Sequence, residues 1–133
     1  MSKLAASILA ADLAYLADQV KMVEGPADLI HVDVMDAHFV PPLTIGPVVV
    51  ASLRPHTRLA LHAHLQVEAP EALFGDLAEA GTDAVSFHVE AVDDPVPAIE
   101  AARSNALRVG LALSPQTPVD RVLPHLDAID HVV

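Results

Sequence analysis

Two short segments of the chain place histidine, carboxylate and amide side chains at every second position. His31 and Asp33 alternate in this way in the first segment, and His62, His64 and Gln66 do so in the second. Strand side chains point alternately to the two faces of a sheet, so each set would share one face. Neighbouring strands lie about 4.8 Å apart, so His31, Asp33 and His64 could reach one point. Two imidazoles and a carboxylate suit Zn²⁺, Fe²⁺, Mn²⁺ or Co²⁺.

The same side chains have a second interpretation, as hydrogen-bonded polar groups within a protein core. A single inward-facing histidine on a strand is usually a core residue of this kind. Five inward polar residues on two adjacent strands favour a shared role, because each buried polar group costs roughly 1–3 kcal/mol when it is left unsatisfied. The spacing by itself leaves both the metal site and the core network open.

The elements that would position these residues follow from the hydrophobic pattern. Short apolar runs alternate with amphipathic segments of helical length. Asp12 is placed to cap the first helix, and Gly25 with Pro26 ends it. The pattern predicts strands at 4–9, 29–35, 58–67, 84–89, 108–113 and 129–133, and helices at 12–23, 47–53, 70–80, 94–105 and 118–126.

Strands separated by helices indicate βαβ units and a parallel sheet, hence an α/β fold. A unit of about 25 residues favours the (β/α)-barrel of TIM type. An open doubly wound sheet is the alternative, but no glycine-rich dinucleotide loop follows the first strand. A complete barrel takes about 250 residues. We therefore expect residues 1–133 to form one partial barrel domain, with about five and a half of eight units and with open strand edges that favour assembly into a homo-oligomer.

Composition narrows the range of functions. Hydrophobic residues make up 53% of the chain and charged residues 19%, values typical of a folded globular domain. The net charge of −11 and the scattered Lys and Arg argue against nucleic-acid binding. The absence of cysteine excludes disulfides, thiolate nucleophiles and cysteine-ligated zinc. No apolar run reaches the roughly 20 residues of a membrane span, so we expect no membrane partner. The lack of cysteine is compatible with a reducing compartment, and we expect a cytoplasmic protein.

Five collinear segments resemble the motifs of ribulose-phosphate 3-epimerases. Positions 30–41 read I-H-V-D-V-M-D-A-H-F-V-P, which is similar to the family segment H-V-D-V-M-D-G-H-F-V-P. Positions 6–12 resemble P-S-I-L-S-A-D, positions 63–65 V-H-L, positions 87–91 F-H-x-E-A, and positions 109–118 G-L-A-L-N-P-x-T-P. The resemblance extends over the whole chain and implies a metal-dependent (β/α)-barrel isomerase of the pentose phosphate pathway.

The resemblance also implies roles for individual residues. His31, Asp33 and His64 occupy metal-ligand positions, and Asp33 is in addition a proton-transferring carboxylate. Ser7, His64 and Met35 occupy substrate-contacting positions, although Ser7 taken alone would be interpreted as a buried hydroxyl bonded to backbone. The implied reaction converts D-ribulose 5-phosphate to D-xylulose 5-phosphate by removing the C3 proton and returning one to the opposite face, with a divalent metal stabilising the enediolate.

In this family a second metal-bound acid lies on the seventh strand, and phosphate-binding loops follow the sixth to eighth strands. The chain ends before these elements. We therefore expect the 133-residue chain to represent a truncated form that is inactive on its own.

Several positions depart from the family pattern. His62 and Gln66 replace the Asp and Met of D-x-H-x-M, Ala37 replaces a Gly, and Ala6 replaces a Pro. We interpret His62 as a core histidine rather than an additional ligand. Alternative functions are a non-catalytic half-barrel module or pseudoenzyme, and an allulose-6-phosphate 3-epimerase. A decarboxylase of the orotidine-phosphate type is disfavoured, because the strands carry no inward lysine.

Overall fold

The computed structural model describes residues 3–133. Six parallel strands form one sheet whose spatial order follows the chain order, which is the topology of a (β/α)-barrel wall. The strands are β1 (Ala5–Ser7), β2 (Leu29–Met35), β3 (Ala60–Gln66), β4 (Ala84–His88), β5 (Arg108–Ala112) and β6 (His131–Val132). The helices are α1 (Leu16–Val23), α2 (Pro47–Leu53), α3 (Glu71–Glu79) and α4 (Pro95–Ser104), with 3₁₀ segments at Leu13–Tyr15, Arg54–His56, Val89–Ala91, Val119–Arg121 and Leu123–Ala128. The expected parallel α/β barrel-type fold is confirmed.

Alternation along β2 divides the sheet into a helix-facing side and an inner side. Ile30, Val32 and Val34 are buried, and they belong to one apolar cluster with Val20 of α1 and Val50 of α2. The residues between them therefore point away from the helices, toward the inside of the barrel wall. This arrangement places the polar side chains of β2 on the inner face.

Two helix predictions need correction. The segment predicted as a helix at 118–126 forms two 3₁₀ segments, at Val119–Arg121 and Leu123–Ala128. Pro124 explains the difference, because proline lacks the backbone N–H and its ring clashes with the preceding turn of an α-helix. The helix predicted at 12–23 starts later, at Leu16, because Asp12 caps the 3₁₀ turn Leu13–Tyr15 by accepting the amide N–H of Ala14 at 3.0 Å.

Helix length also bears on membrane association. The longest helix, α4, has 10 residues. Within residues 3–133, no helix has the length and apolar character needed to cross a bilayer.

Candidate metal centre

Strand register brings the predicted ligands to one height on the inner face. β2 and β3 are paired in parallel, with Asp33 opposite His64 and His31 opposite His62. β1 pairs with the other side of β2 and places Ser7 opposite His31. Alternation along each strand places the polar side chains on the inner face. The register between the three strands then brings them together in one cluster.

The cluster has the composition and spacing of a metal site. One donor atom each from His31, Asp33 and His64 lies within 4.8 Å of the other two. His31 Nε2 is 3.2 Å and His64 Nδ1 is 3.4 Å from Asp33 Oδ1. All three side chains are less than one-fifth exposed. Two imidazole nitrogens and a carboxylate oxygen fit Zn²⁺, Fe²⁺, Mn²⁺ or Co²⁺.

Asp33 has two further partners. Ser7 Oγ donates to Asp33 Oδ2 at 2.8 Å, and Gln66 Nε2 donates to Oδ1 at 3.4 Å. Burial of Asp33 raises its pKa, but the hydrogen bonds from His31, His64 and Ser7 outweigh burial and hold the pKa well below its usual range. The carboxylate is therefore ionised at neutral pH.

The C-terminal end of β2 is held by Thr44, a residue outside the sequence motifs. Thr44 Oγ1 accepts the amide N–H of Met35 at 2.9 Å and donates to the carbonyl oxygen of Asp33 at 2.6 Å. A cavity of about 200 Å³ lies beside Asp33, and its wall includes Thr44 and Leu43. Met35 is half-buried on the inner face, directly opposite Gln66. The loop residue Thr44 carries no spacing signal that would have identified it.

The loop after β2 contains a strained alanine. Ala37 has a φ of 62°, in the left-handed region where a Cβ costs roughly 1–2 kcal/mol. This is one of the positions where the resembled family has glycine, so the departure has a conformational cost. We expect Ala37→Gly to raise the free energy of unfolding by about 1 kcal/mol, measured by urea denaturation. The control Ala17→Gly, within α1, should lower it by roughly 0.5–1 kcal/mol; a lower value for Ala37→Gly as well would contradict this explanation.

His62 lies outside the triad, in agreement with its interpretation as a core histidine. Its Nε2 is 3.0 Å from Ser86 Oγ and 3.0 Å from His131 Nε2. Burial, followed by the charge of His131, lowers the pKa of His62 to about 3. The contact between His131 and His62 requires glycine at position 110. A Cβ on residue 110 would collide with the ring of His131. The His131 ring thus crosses β5 to reach His62.

A second polar chain extends from His64 to the loop after β5. His64 Nε2 is 3.0 Å from His88 Nε2, and His88 Nδ1 is 3.1 Å from Glu90 Oε2. The amide of Ser114 donates to Glu90 Oε1 at 2.8 Å. Burial raises the pKa of Glu90, but hydrogen bonds from Thr117, Ser114 and His88 lower it to about 2. Burial and the neighbouring His64 lower the pKa of His88, which is therefore a neutral ring at neutral pH.

Sequence comparisons relate the chain to one enzyme family. A sequence model described as the ribulose-phosphate 3 epimerase family matches residues 3–133. The ribulose-phosphate 3-epimerase of Bacillus subtilis is 43% identical over 134 residues, covering 100% of this chain and 62% of the relative. That of Mycobacterium tuberculosis is 45% identical over 129 residues, covering 95% and 56%. The cytoplasmic isoform of Oryza sativa is 42% identical, covering 96% and 57%. The chain thus spans less than two thirds of the length of these relatives.

Solved structures agree with the fold. A crystal structure of KGPDC from Streptococcus mutans has a TM-score of 0.71 at 19% identity, covering 99% of this chain and 64% of that chain. The tryptophan synthase a2b2 complex from Pyrococcus furiosus has a TM-score of 0.70 at 13% identity, covering 98% and 64%. At this level of identity the similarity establishes the fold alone, and these TIM-barrel neighbours confirm it.

Proposed function

Because the chain belongs to the ribulose-phosphate 3-epimerase family, we propose that it carries the metal-binding part of an enzyme that converts D-ribulose 5-phosphate to D-xylulose 5-phosphate. The observation that supports this proposal most is the convergence of His31, Asp33 and His64 within 4.8 Å. These are the residues to which the family motifs assign ligation. We also propose that the enzyme acts in the pentose phosphate pathway.

The donor set fits a divalent ion, and each ligand has a defined position. His31 would bind through Nε2 and His64 through Nδ1, the nitrogens that face Asp33 Oδ1. A divalent ion bound there supplies positive charge that stabilises negative charge on the oxygens of a deprotonated sugar. Zn²⁺, Fe²⁺, Mn²⁺ and Co²⁺ all suit two nitrogens and one carboxylate, and the donor set does not discriminate among them.

Asp33 would carry out the proton transfer. Its carboxylate is ionised at neutral pH, and the ionised form is the one that can accept a proton from the carbon beside a ketone. Ser7 fixes the direction of Oδ2 by its hydrogen bond of 2.8 Å. The cavity beside Asp33, about 200 Å³ in volume, would hold the sugar next to this carboxylate. Half-buried Met35 would line the substrate site.

Epimerisation needs a second acid on the opposite face of the sugar. Within residues 3–133, Asp33 is the only carboxylate of the triad. One carboxylate suffices to remove the C3 proton and return a solvent-derived one to the same face. We therefore propose that the chain, although inactive as an epimerase on its own, still exchanges this proton.

The test is a proton-exchange assay in D₂O. The purified chain is mixed with D-ribulose 5-phosphate and Zn²⁺ or Mn²⁺, and loss of the C3 proton signal is followed by ¹H NMR. We expect metal-dependent deuterium incorporation at C3 with little xylulose 5-phosphate, and its loss in Asp33→Asn. If a folded, metal-loaded chain showed no exchange and no epimerisation, the proposal would be contradicted. Exchange that survives Asp33→Asn would contradict it as well. A parallel assay with allulose 6-phosphate compares the alternative substrate.

Two further features belong to the proposal. The similarity to a cytoplasmic isoform supports a cytoplasmic site of action. Large apolar side chains exposed on the described part of the chain support assembly into a homo-oligomer. These side chains include Leu4, Leu9, Val132 and Val133.

A further inference from the structure

Gln66 reaches the carboxylate of the metal centre from the carboxyl end of β3. It lies two residues after His64, so its side chain shares the inner face of the strand with that ligand. The register of β2 and β3 pairs it with Met35, the next inward-facing pair after Asp33 and His64. The side chain is partly buried, and its Nε2 atom is 3.4 Å from Asp33 Oδ1. Gln66 therefore borders the metal centre directly.

The amide of Gln66 lies as close to Asp33 Oδ1 as the two imidazole ligands do. His31 Nε2 is 3.2 Å and His64 Nδ1 is 3.4 Å from the same oxygen. Two atoms that bind one ion at about 2.1 Å lie roughly 3.0–3.4 Å apart in octahedral or tetrahedral geometry. An N–H···O hydrogen bond is usually shorter, at about 2.7–3.2 Å. The spacing therefore fits a set of ligands better than a strong hydrogen bond from Gln66 to Asp33.

The amide group of Gln66 has two ends that differ in chemistry. An ionised carboxylate only accepts hydrogen bonds, so beside Asp33 the NH₂ group faces Oδ1. The terminal torsion of glutamine has two broad orientations, and a half-turn exchanges the positions of Nε2 and Oε1. Next to a divalent cation the oxygen is the end that faces the charge. The side chain thus offers an oxygen donor at this position without any change in the backbone.

We infer that Gln66 is a further ligand of the metal centre, bound through Oε1, and that it biases the centre toward ions that prefer oxygen, such as Mn²⁺. The inference rests on the proposed function, since it concerns the same centre. Carbonyl oxygens suit Mn²⁺, whereas imidazole and thioether groups suit Zn²⁺. The amide is neutral, so it adds a donor and leaves the positive charge of the ion available to the oxygens of the substrate. The resembled family has methionine at this position, so the oxygen donor is a departure in this chain.

The variant Gln66→Met tests this role, because it restores the family residue and replaces the amide by a thioether side chain of similar length. Competitive titration measures the affinities for Mn²⁺ and Zn²⁺. We expect the Mn²⁺ affinity to fall by about tenfold and the Zn²⁺ affinity to change by less than about threefold. The matched control Gln116→Met makes the same change at an exposed position and should leave both affinities unchanged.

A second measurement counts the water molecules on bound Mn²⁺. Loss of the amide oxygen opens one coordination position, and water fills it. Water-proton relaxation should therefore indicate about one more water ligand in Gln66→Met than in the wild-type chain or in Gln116→Met. The variant Gln66→Glu keeps an oxygen donor at this position. It should retain the wild-type water count and bind Mn²⁺ at least as tightly as the wild-type chain.

The outcomes separate this inference from the proposed function. Equal losses of Mn²⁺ and Zn²⁺ affinity with an unchanged water count would show that Gln66 only orients Asp33, and would overturn the inference while the metal centre stands. Unchanged affinities in Gln66→Met would overturn it as well. A folded wild-type chain that binds neither ion would contradict the metal centre and the assignment of Gln66 together. If Gln66→Met fails to fold, Gln66→Glu decides, because weaker Mn²⁺ binding than in the wild-type chain would overturn the inference.

Discussion

Replacing Asp33 by asparagine is expected to weaken zinc binding by about 100-fold, or roughly 2.7 kcal/mol. The substitution keeps the size of the side chain but removes the one anionic ligand of the triad. It also removes the charge that the two neighbouring histidines contact at 3.2 and 3.4 Å. Calorimetric titration with Zn²⁺ measures the change, and circular dichroism establishes that the variant is folded.

The matched control is Asp18→Asn, an exposed carboxylate on α1 that makes the same change in net charge. Its zinc affinity should equal that of the wild-type chain. An unchanged affinity in folded Asp33→Asn would assign the ion to other side chains and contradict the proposed centre. An equal loss in both variants would indicate a nonspecific effect of the acidic surface.

Acid should destabilise the chain partly through His62. Folding lowers the pKa of His62 from 6.5 to about 3. Between these values the unfolded chain binds a proton on His62 that the folded chain does not bind. The free energy of unfolding therefore falls as pH falls from 6.5 toward 3, by up to about 1.4 kcal/mol per pH unit for this one group. The contribution is fully present only above pH 6.5.

The variant His62→Gln removes this group and should flatten the pH dependence. Urea denaturation between pH 4.5 and 6.5 measures the slope in a range above the titration of Glu90, whose pKa falls from 4.5 to about 2 on folding. His88 and His131 act in the same direction, because their pKa values are also lowered, so the difference between the two chains reports His62. His56→Gln, at an exposed position, is the control. Equal slopes in wild type and His62→Gln would contradict the neutral, buried state of His62.

The main elements of the fold were predictable because their patterns are local. Strand β2 was predicted with its observed bounds, Leu29–Met35, since apolar residues alternate with polar ones along its length. Helix α2 was also predicted with its observed bounds, Pro47–Leu53, since the helix has to end before Pro55. The helix predicted at 118–126 was wrong because Pro124 cannot occupy the interior of an α-helix.

The candidate site was predictable only in part. Alternation placed His31, Asp33 and His64 on inner faces, and the observed strand register brings Asp33 opposite His64. The contacts of Asp33 with Ser7 and of His64 with His88 depend on side chains from four strands meeting across the barrel interior. No spacing along the chain encodes those distances. The single partial domain over residues 1–133 and the roles of the site residues stay predictions.

The most direct test of the metal centre is a crystal structure of the zinc-loaded chain with anomalous data collected at the zinc absorption edge. We expect one strong peak at about 2.0–2.2 Å from His31 Nε2, His64 Nδ1 and an Asp33 carboxylate oxygen. A zinc peak bound elsewhere, or none at these three residues in a crystal grown with saturating zinc, would contradict the assignment of this cluster as the metal centre.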